Sequence, residues 1–460
     1  MAKVKDDLKR NVSGFNAYTM VVGTIIGTGI FFKPQAVFSA TGTASLGLIV
    51  WVIGCVLGMC GGLIVAEIGT LIPETGGLMT YLEKIYNPVL GFMVGWSQMI
   101  CFYPIRIAAG AVVFGTQASA LLGFDDSTIP IISVVVVLII NLVNGLGNKA
   151  TGILQDVSTF LKFVPIILII FVGLFINPDP VSVRLLPITI ESHPLMGGLA
   201  LGIIATLYAT DGWINVTNIA GEVKDPNKNI PRALIAGITT VMVAYLAINI
   251  AYLKVMTPAQ LAGTNTPAAD VANLLFGNIG GKLITIGIMV SVFGSQTGFT
   301  RASWRVPYAL ALRNTIPFSS WFSKLSKKTE MPINSGLFIM TMTISCILFI
   351  GNYNALTDIG SFVIWFFYTL TFAGLFILRK KWPDKERPYK VPLYPVVPIL
   401  GILGGLFILG STIVFQPIIA LWAIGLPLTG VPVYLYKNKK NGGVVVETLN
   451  DVPSIDSEGK

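Results

Sequence analysis

Charged side chains are scarce in this sequence. Lysine, arginine, aspartate and glutamate make up 12% of its 460 residues, whereas 53% of the residues are hydrophobic. An ordinary soluble domain carries about 25% charged residues, so this composition excludes a soluble globular protein and is typical of a chain built for a lipid bilayer. The formal net charge of +9 would otherwise suggest binding to nucleic acid, but the basic residues are confined to particular connecting segments.

Histidine and cysteine are also rare. The single histidine, His193, stands in the polar stretch Ser192-His193-Pro194, where a role at a helix entry is favoured over a ligand role. The cysteines lack metal-ligand spacing and lie in apolar segments, so we interpret them as small buried side chains; they are Cys55, Cys60, Cys101 and Cys346. Since the sequence also has no phosphate loop or catalytic triad, we predict no enzyme, no cofactor and no metal site.

The sequence does contain a series of apolar runs of about 20 residues, the length that a helix needs to cross the hydrocarbon core. They predict an all-α polytopic membrane protein with about twelve transmembrane helices. No cleavable signal peptide is expected, because a polar N-terminal stretch leads directly into a full-length span. The predicted spans are residues 14–38, 44–71, 89–122, 128–146, 151–176, 195–221, 233–255, 282–313, 334–350, 359–378, 396–415 and 417–436.

The basic residues occupy alternate connections between these spans. An even number of spans places all of these residues on one side, and basic connections are retained in the cytoplasm, so both termini are predicted to be cytoplasmic. The opposite connections hold mainly acidic residues, namely Asp125, Asp126, Asp179, Glu191 and Asp358. The basic residues are Lys3, Lys5, Lys9 and Arg10, Lys224, Lys228 and Arg232, Lys324, Lys327 and Lys328, Arg379 to Lys390, and Lys437, Lys439 and Lys440.

The first span carries an unusual stretch, Val22-Gly23-Thr24-Ile25-Ile26-Gly27-Thr28-Gly29-Ile30-Phe31. Glycine costs a helix interior about 1 kcal/mol relative to alanine, and threonine is also a poor helix former. One interpretation is close helix packing, since Gly23 and Gly27 are spaced as a small-xxx-small face. The other is an unwound segment lining a polar cavity, where non-helical backbone is tolerated at membrane depth.

The sixth span favours the second interpretation. Its stretch Tyr208-Ala209-Thr210-Asp211-Gly212-Trp213-Ile214-Asn215 places an acid, a glycine and an asparagine inside an apolar run. A carboxylate in hydrocarbon is costly, so Asp211 must face protein or water. Interrupted helices at matching positions of two five-helix halves are typical of inverted-repeat transporters with the site at the repeat interface.

One broken helix can recognise both ends of a zwitterion. A half-helix beginning near Thr28-Gly29-Ile30 would offer free N–H groups to a carboxylate, and the carbonyl groups near Ile25 and Ile26 would suit an ammonium. These features predict amino acids as substrates.

The predicted spans divide the chain into a cytoplasmic segment 1–13, a transporter domain 14–437 and a disordered tail 438–460. Within the transporter domain we predict repeats 14–176 and 195–380 and final helices 396–437. Short helices are expected within 73–88 and 257–277.

The chain resembles the L-amino-acid-transporter (LAT-like) branch of the amino acid–polyamine–organocation superfamily, and among its members the prokaryotic exchangers of small neutral amino acids. The resemblance covers nearly the whole chain. It is carried in order by VGTIIGTGIF, Pro73-Glu74-Thr75-Gly76-Gly77 with Tyr81, Gly91-Phe92…Gly95-Trp96, Leu154-Gln155-Asp156…Lys162, Asp211-Gly212-Trp213…Gly221-Glu222 and Pro226…Asn229-Ile230-Pro231. It implies a LeuT-type fold of two inverted five-helix halves plus two C-terminal helices.

The resemblance also implies roles for particular residues. Tyr208 matches an aromatic residue that closes over the substrate from outside, and Lys162 matches a lysine of the fifth helix that bridges the first and eighth helices. Because a cation site lies there in sodium-coupled relatives, the lysine implies no sodium requirement. The residues that match the two substrate-binding bends are Ile25, Ile26, Gly27, Thr28, Gly29 and Ile30 in the first helix, and Tyr208, Ala209 and Asp211 in the sixth.

Two departures from the family pattern alter these expectations. Animal members join a glycoprotein through a cysteine between the third and fourth helices, and residues 122–129 contain none, so we expect no disulfide-linked partner and a functional monomer. Many relatives have a small residue where this chain has Asp211, which leaves the size and the charge of the pocket open.

Several other charged residues lie within or near the spans. Arg106 is expected either to line the outer vestibule or to form a structural ion pair. Inner-gate or packing networks are expected for Glu67, Glu222, Arg301 and Arg305.

Three functions are compatible with these features. The sequence favours a sodium-independent exchanger of small neutral L-amino acids such as Ala, Ser, Cys and Thr, acting by alternating access in the cell membrane. A proton-coupled symporter, with Lys162 as the proton carrier, is the second possibility. A membrane amino-acid sensor with the same fold is the third.

Overall fold

The computed structural model describes residues 12–72, 76–147, 158, 161–177, 180–181 and 195–440. Within these ranges the backbone is helical, and its one extended pairing is an isolated parallel bridge between Val12 and Val223. In chain order the helices are α1 (Gly14–Ile25), α2 (Gly29–Thr41), α3 (Ala44–Leu71), α4 (Gly77–Ile85), α5 (Pro88–Ser97), a π-turn (Gln98–Phe102), α6 (Tyr103–Leu122), a 3-10 turn (Asp126–Thr128), α7 (Ile129–Gly145), α8 (Phe163–Phe175), α9 (Leu195–Thr210), a 3-10 helix (Trp213–Glu222), α10 (Pro226–Val255), α11 (Pro258–Ala262), α12 (Pro267–Leu312), α13 (Ser319–Phe322), α14 (Ile333–Phe349), α15 (Tyr353–Lys381), α16 (Val396–Phe415), α17 (Pro417–Leu428) and α18 (Gly430–Lys440).

The predicted membrane class is confirmed. In the described part of the chain, nine helical segments are long and apolar enough to cross a bilayer, and the bent pair α1–α2 makes a tenth. Two shorter apolar helices, α8 and α14, stand where the fifth and ninth spans were predicted. The protein is therefore all-α and multi-pass, which is consistent with about twelve spans. The inverted-repeat layout and the domain boundaries stay predictions.

Both connections in which short helices were expected contain them. Helix α4 lies between α3 and α5, and most of its residues are buried. Helix α11 begins with a capping box in which the Thr257 and Gln260 side chains and backbone amides pair reciprocally. Helix α12 then starts at Pro267 and leaves helical geometry at Gly277, whose φ of 69° favours glycine.

Asp358 is not in a connecting loop, so its predicted placement was wrong. Helix α15 begins at Tyr353, where the Asn352 side chain caps it by accepting from the Ala355 amide. Asp358 therefore lies in the second turn of α15 and is buried. The helix can begin before the apolar run because polar side chains of its first turns bind a distant residue. The Lys33 ammonium contacts Thr357 and Asp358 there.

Helix α18 continues to Lys440, beyond the predicted boundary at residue 437, and the extent of the C-terminal tail stays a prediction. Its last residues are polar, and a helix end at a membrane surface needs no further apolar run. Other residues named from the sequence lie outside the described ranges. They are Lys3, Lys5, Lys9, Arg10, Pro73 to Thr75, Leu154 to Asp156, Asp179, Glu191, His193, the Gly221 and Glu222 side chains, and the residues after 440.

The first and sixth spans lie together at the centre of the bundle. Helix α1 contacts α10 and the 3-10 helix that follows α9, while α2 contacts α9 itself. Helix α3 packs against α9 and α10 on another side. The two segments whose sequences predicted weak helices are therefore held by neighbouring helices on several sides, which is where interrupted helices are tolerated in a membrane.

Candidate functional site

The first span is broken at the predicted place. Helix α1 ends at Ile25, Ile26 is extended (φ −70°, ψ 98°), and α2 begins at Gly29 with its axis bent by 43° from that of α1. Ile26, Gly27 and Thr28 belong to neither helix, although the Ile26 N–H still donates to the Val22 carbonyl oxygen. Residues 25, 26 and 28–30 are buried, whereas Gly27 is partly accessible.

The sixth span breaks beside the first. Helix α9 ends at Thr210, and Gly212 adopts a φ of 126°, a conformation that favours glycine. The Thr24 hydroxyl of α1 donates to the Gly212 carbonyl at 3.0 Å. A Cβ added to Gly29 would lie 2.5 Å from the Cα of Ala209. The two bends therefore contact each other through backbone, which is possible only with small residues at the contact.

The glycines of the first span are thus not explained by a small-xxx-small face through Gly27. A Cβ added to Gly27 would meet only the Ile25 carbonyl oxygen of its own segment, at 3.9 Å. Close packing occurs two residues later, at Gly29. The break, rather than close helix packing at Gly27, accounts for this stretch.

Several carbonyl groups at the end of α1 accept hydrogen bonds from buried side chains. The Lys162 ammonium donates to the carbonyl oxygens of Gly23, at 2.5 Å, and Ile26, at 3.1 Å. The Tyr245 hydroxyl of α10 lies 3.2 Å from the Ile25 carbonyl oxygen and 2.9 Å from that of Ala209. Because this hydroxyl has one proton, it serves one carbonyl at a time. Tyr245 thereby connects the two bends.

Lys162 precedes α8 and is buried. One turn earlier, Ser158 packs on Gly294 of α12 so closely that a Cβ added to Gly294 would overlap the Ser158 Oγ. The fifth span therefore contacts both the first span, through Lys162, and the eighth. A direct link from the Lys162 ammonium to α12, implied by the family resemblance, stays a prediction.

The start of α2 presents free backbone donors. The Thr28 side chain does not cap this helix, and the Thr28 carbonyl accepts from the Phe31 and Phe32 amides. Within the described ranges, the N–H groups of residues 27–30 have no backbone acceptor. The first four N–H groups of a helix lack intrahelical partners and carry its positive dipole end, so this end of α2 suits an anion.

Asp211 is held in a buried ion pair with Arg106 of α6. The Arg106 Nη1 atom lies 2.9 Å from Oδ2 of Asp211, and the Tyr368 hydroxyl donates to Oδ1 at 2.8 Å. Both charged side chains are nearly fully buried. The ion pair is one of the two roles expected for Arg106. The Asp211 carboxylate faces protein, as the cost of burying a charge requires.

A small cavity lies beside this ion pair. Its lining includes both charged residues, the Tyr208 ring, Ser361 and the apolar side chains of Phe102 and Ile105. The Arg106 guanidinium carbon lies 5.2 Å from the centre of the Tyr208 ring and 4.4 Å from that of Phe299. Tyr208 is buried and packs edge-on against Tyr353. The aromatic residue expected to close over the substrate thus stands next to the cavity.

A second buried ion pair lies on the α2 side of the bend and was missed in the sequence. The fully buried Lys33 ammonium donates to the Thr357 hydroxyl at 2.6 Å and to Oδ1 of Asp358 at 3.3 Å. It also lies 5.5 Å from the centre of the Tyr208 ring. A lysine within an apolar run is itself a signal of function, and Lys33 follows the glycine stretch directly. Tyr245 and Tyr368 carried no comparable signal, since tyrosine is common in membrane helices.

The charged residues predicted near the cytoplasmic ends form a packing network in part. The buried Glu67 carboxylate accepts two bonds from Arg379, at 2.9 and 2.7 Å, and one from the Val391 amide. Arg301 is half-buried and Arg305 is exposed, and neither has an acidic partner among the described residues.

Comparison with known proteins agrees with this architecture. The model of the family described as "Amino acid permease" matches residues 12–431. The serine/threonine exchanger SteT of Bacillus subtilis is 38% identical over 434 residues, which cover 94% of this chain and 98% of that protein. The human cystine/glutamate transporter is 29% identical over 94% of this chain and 85% of its own length. The mouse large neutral amino acids transporter small subunit 2 is 30% identical over 93% of this chain and 81% of its own length.

These relatives are transporters, and the residues matched by the family model include both broken spans. The match to the family model includes nearly all the residues that the structure describes. The chain therefore belongs to the amino acid permease family of the amino acid–polyamine–organocation superfamily, a family of transporters and not of enzymes.

Proposed function

We propose that the protein is a sodium-independent exchanger of small neutral L-amino acids such as alanine, serine, cysteine and threonine. The observation that carries this proposal is that the two bends contact each other and that, in the described part of the chain, the N–H groups of residues 27–30 beside this contact have no backbone acceptor. A helix N-terminus with free N–H groups binds a carboxylate. The substrate's carboxylate would therefore bind at Thr28, Gly29 and Ile30.

The α-ammonium of the substrate would bind to carbonyl groups on the other side of the same break, at Ile25, Ile26 and Ala209. Tyr245 and Lys162 already reach these carbonyls. A carbonyl oxygen has two lone pairs, however, so one donor does not saturate it. The backbone of Gly27 and the bend residue Asp211 complete the predicted binding residues.

Independence of sodium is supported by the position of Lys162. Its ammonium donates to the Gly23 and Ile26 carbonyl oxygens, so these oxygens have a cation that belongs to the chain. A transporter whose broken helix already holds its cation needs no metal ion there. Exchange is supported by the serine/threonine exchanger among the relatives. Proton-coupled symport by Lys162 and amino-acid sensing are the alternatives.

A preference for neutral and small substrates is supported by the residues around the small cavity. Arg106 and Asp211 cancel each other's charge, so no net charge is left for a substrate side chain. The Tyr208, Phe102 and Phe299 rings surround the Arg106 guanidinium and restrict the space. Tyr208 would act as the external lid, while Lys162 and Tyr208 would couple binding to alternating access.

The basic connections support a place in the cell membrane with both termini in the cytoplasm. No disulfide-linked partner is expected, and we propose that the protein works as a monomer. All four cysteines lie within helical segments that the structure describes, and they are free. None of them is in the connection between α6 and α7, so that connection offers no thiol to a partner.

Reconstitution in liposomes tests the proposal. Uptake of labelled serine would be measured with and without unlabelled serine inside, in sodium or choline medium, and with or without a pH gradient. We expect uptake that depends on internal amino acid and is indifferent to sodium and to the gradient. Competition by a panel of amino acids should rank Ala, Ser, Cys and Thr above Phe and Trp.

Each alternative predicts a different result. Uptake into empty liposomes that is driven by an inward proton gradient would identify a symporter. Binding of serine to the purified protein without any flux would identify a sensor. Stimulation by sodium would contradict the role given to Lys162, and stronger inhibition by tryptophan than by serine would contradict the proposed lid.

A further inference from the structure

We infer that Asp211 determines the charge selectivity of the pocket by occupying the place beside Arg106 that an acidic substrate side chain would take. The inference rests on the proposed function and concerns the same site. Its starting point is that a guanidinium and a carboxylate, both nearly fully buried, pair at 2.9 Å on the wall of the cavity next to the substrate bends.

Arg106 has the chemistry of a carboxylate receptor. Its Nη1 atom donates to Asp211, whereas its buried Nε–H has no partner among the described residues. A guanidinium can bind a carboxylate through two parallel N–H groups. The present pairing therefore leaves part of the binding capacity of Arg106 unused.

The other groups around the cavity also favour an anion. The Tyr368 hydroxyl donates to Asp211, and the buried Ser361 hydroxyl, which lines the same cavity, has no partner within the described chain. One hydroxyl and one guanidinium thus bind the Asp211 carboxylate, and a second hydroxyl lines the same cavity. Without Asp211, the same donors would surround a space about the size of that carboxylate.

The pairing has opposite consequences for neutral and acidic substrates. With Asp211 present, the cavity wall is electrically neutral, and a substrate carboxylate would meet a second carboxylate without a free cation. With Asp211 removed, the buried guanidinium would lack a counterion, which is costly at low dielectric. A glutamate or aspartate substrate would then supply the missing anion.

The test is competition for labelled serine in proteoliposomes that contain Asp211→Ala, which removes the charge and opens the space. We expect L-glutamate and L-aspartate to inhibit this variant at concentrations at least 10-fold lower than those needed for the wild type. Asp211→Asn removes the charge but keeps the volume, so it should gain less. The double variant Asp211→Ala with Arg106→Gln should lose the gained inhibition, because no guanidinium remains.

Glu83→Ala is the matched control. Glu83 accepts from Nη1 of Arg313 at 2.8 Å, in an ion pair that does not line the cavity. Exposing Arg313 should give no inhibition by glutamate. If Glu83→Ala gained as much as Asp211→Ala, a general charge effect would explain the result and the inference would be wrong.

A second variant and a second readout cover the case in which Asp211→Ala does not fold. Asp211→Ser frees space but keeps a hydroxyl for Tyr368, and thermal stabilisation of the purified protein by glutamate reports binding without transport. The inference is overturned if neither variant, in folded form, binds glutamate better than the wild type. Wild-type protein that fails to exchange serine would instead contradict the proposed function, and these two results are distinguishable.

Discussion

The Nζ atom of Lys162 lies 2.5 Å from the carbonyl oxygen of Gly23, at the turn where the first span breaks. It also donates to the Ile26 carbonyl oxygen at 3.1 Å. One side chain of the fifth span therefore binds the last turn of α1 and the unwound residue after it. Because the transported substrate is proposed to bind at the same break, this contact connects helix packing with transport.

Lys162→Ala should impair transport while expression stays near normal. The variant leaves two carbonyl groups unpaired, at about 1–3 kcal/mol for each buried unsatisfied group. This cost should alter the balance between inward-open and outward-open states, so apparent affinity should fall by different factors on the two membrane faces. Serine exchange assayed from each face measures this asymmetry.

Lys162→Arg should rescue poorly, because a planar guanidinium does not reproduce a compact ammonium between two carbonyls. Lys282→Ala serves as the control, since Lys282 is exposed on α12 and no exchange role is assigned to it. Transport by Lys162→Ala that equals the wild type on both faces would mean that this lysine only packs.

Gly29→Ala should abolish exchange or reduce it at least 10-fold. A Cβ at this position would lie 2.5 Å from the Cα of Ala209, and backbone on both sides of the contact leaves little room for adjustment. The two bends would have to separate, which displaces the free N–H groups of α2. Serine exchange and the thermal stability of the purified variant measure the effect.

Gly410→Ala is the control for that substitution. Gly410 lies within α16, and no atom beyond the neighbouring backbone of that helix lies within 4 Å of the position of an added Cβ. Alanine is favoured over glycine in a helix by about 1 kcal/mol, so this variant should retain exchange and stability. Normal exchange by Gly29→Ala would show that the bends do not need their backbone contact.

Asp358→Asn should destabilise the protein by about 3–5 kcal/mol, the cost of leaving a buried charge without its partner. The exposed fraction of the Lys33 side chain is 0%, so its ammonium has no access to water. The double variant Lys33→Met with Asp358→Leu should recover most of the lost stability, because apolar side chains of similar size replace the pair. Thermal unfolding of the purified variants tests this, and equal stability of the single and double variants would contradict it.

Both charges of the substrate backbone should be required for binding. The carboxylate is expected at the free N–H groups of residues 27–30 and the ammonium at the carbonyls of Ile25, Ile26 and Ala209. Alaninamide and propionate each lack one charge. Neither should compete with labelled serine, even at about 100 times the concentration at which alanine competes. Competition by either compound as strong as that of alanine would contradict binding at the broken helix.

Local sequence features were sufficient to predict the membrane class, the approximate spans and the positions of the two breaks. These features are local, because a span depends on the length of an apolar run, and a break depends on weak helix formers within about one turn. Gly23, Gly27 and Gly29 predicted the first break, and Asp211 with Gly212 predicted the second. The predicted placement of Asp358 in a loop was wrong because polar residues continue α15 beyond its apolar run.

The pairing of buried charged and polar residues became visible in the packing of the helices. Arg106 and Asp211 are separated by 105 positions, Lys33 and Asp358 by 325, and Tyr245 and Ile25 by 220. A single sequence contains buried charges but does not state their partners, since pairing depends on how distant helices pack. Asp211 therefore looked like a possible charge in the pocket, whereas packing made it the counterion of Arg106 because a buried carboxylate is stable only beside an opposite charge and a hydrogen-bond donor.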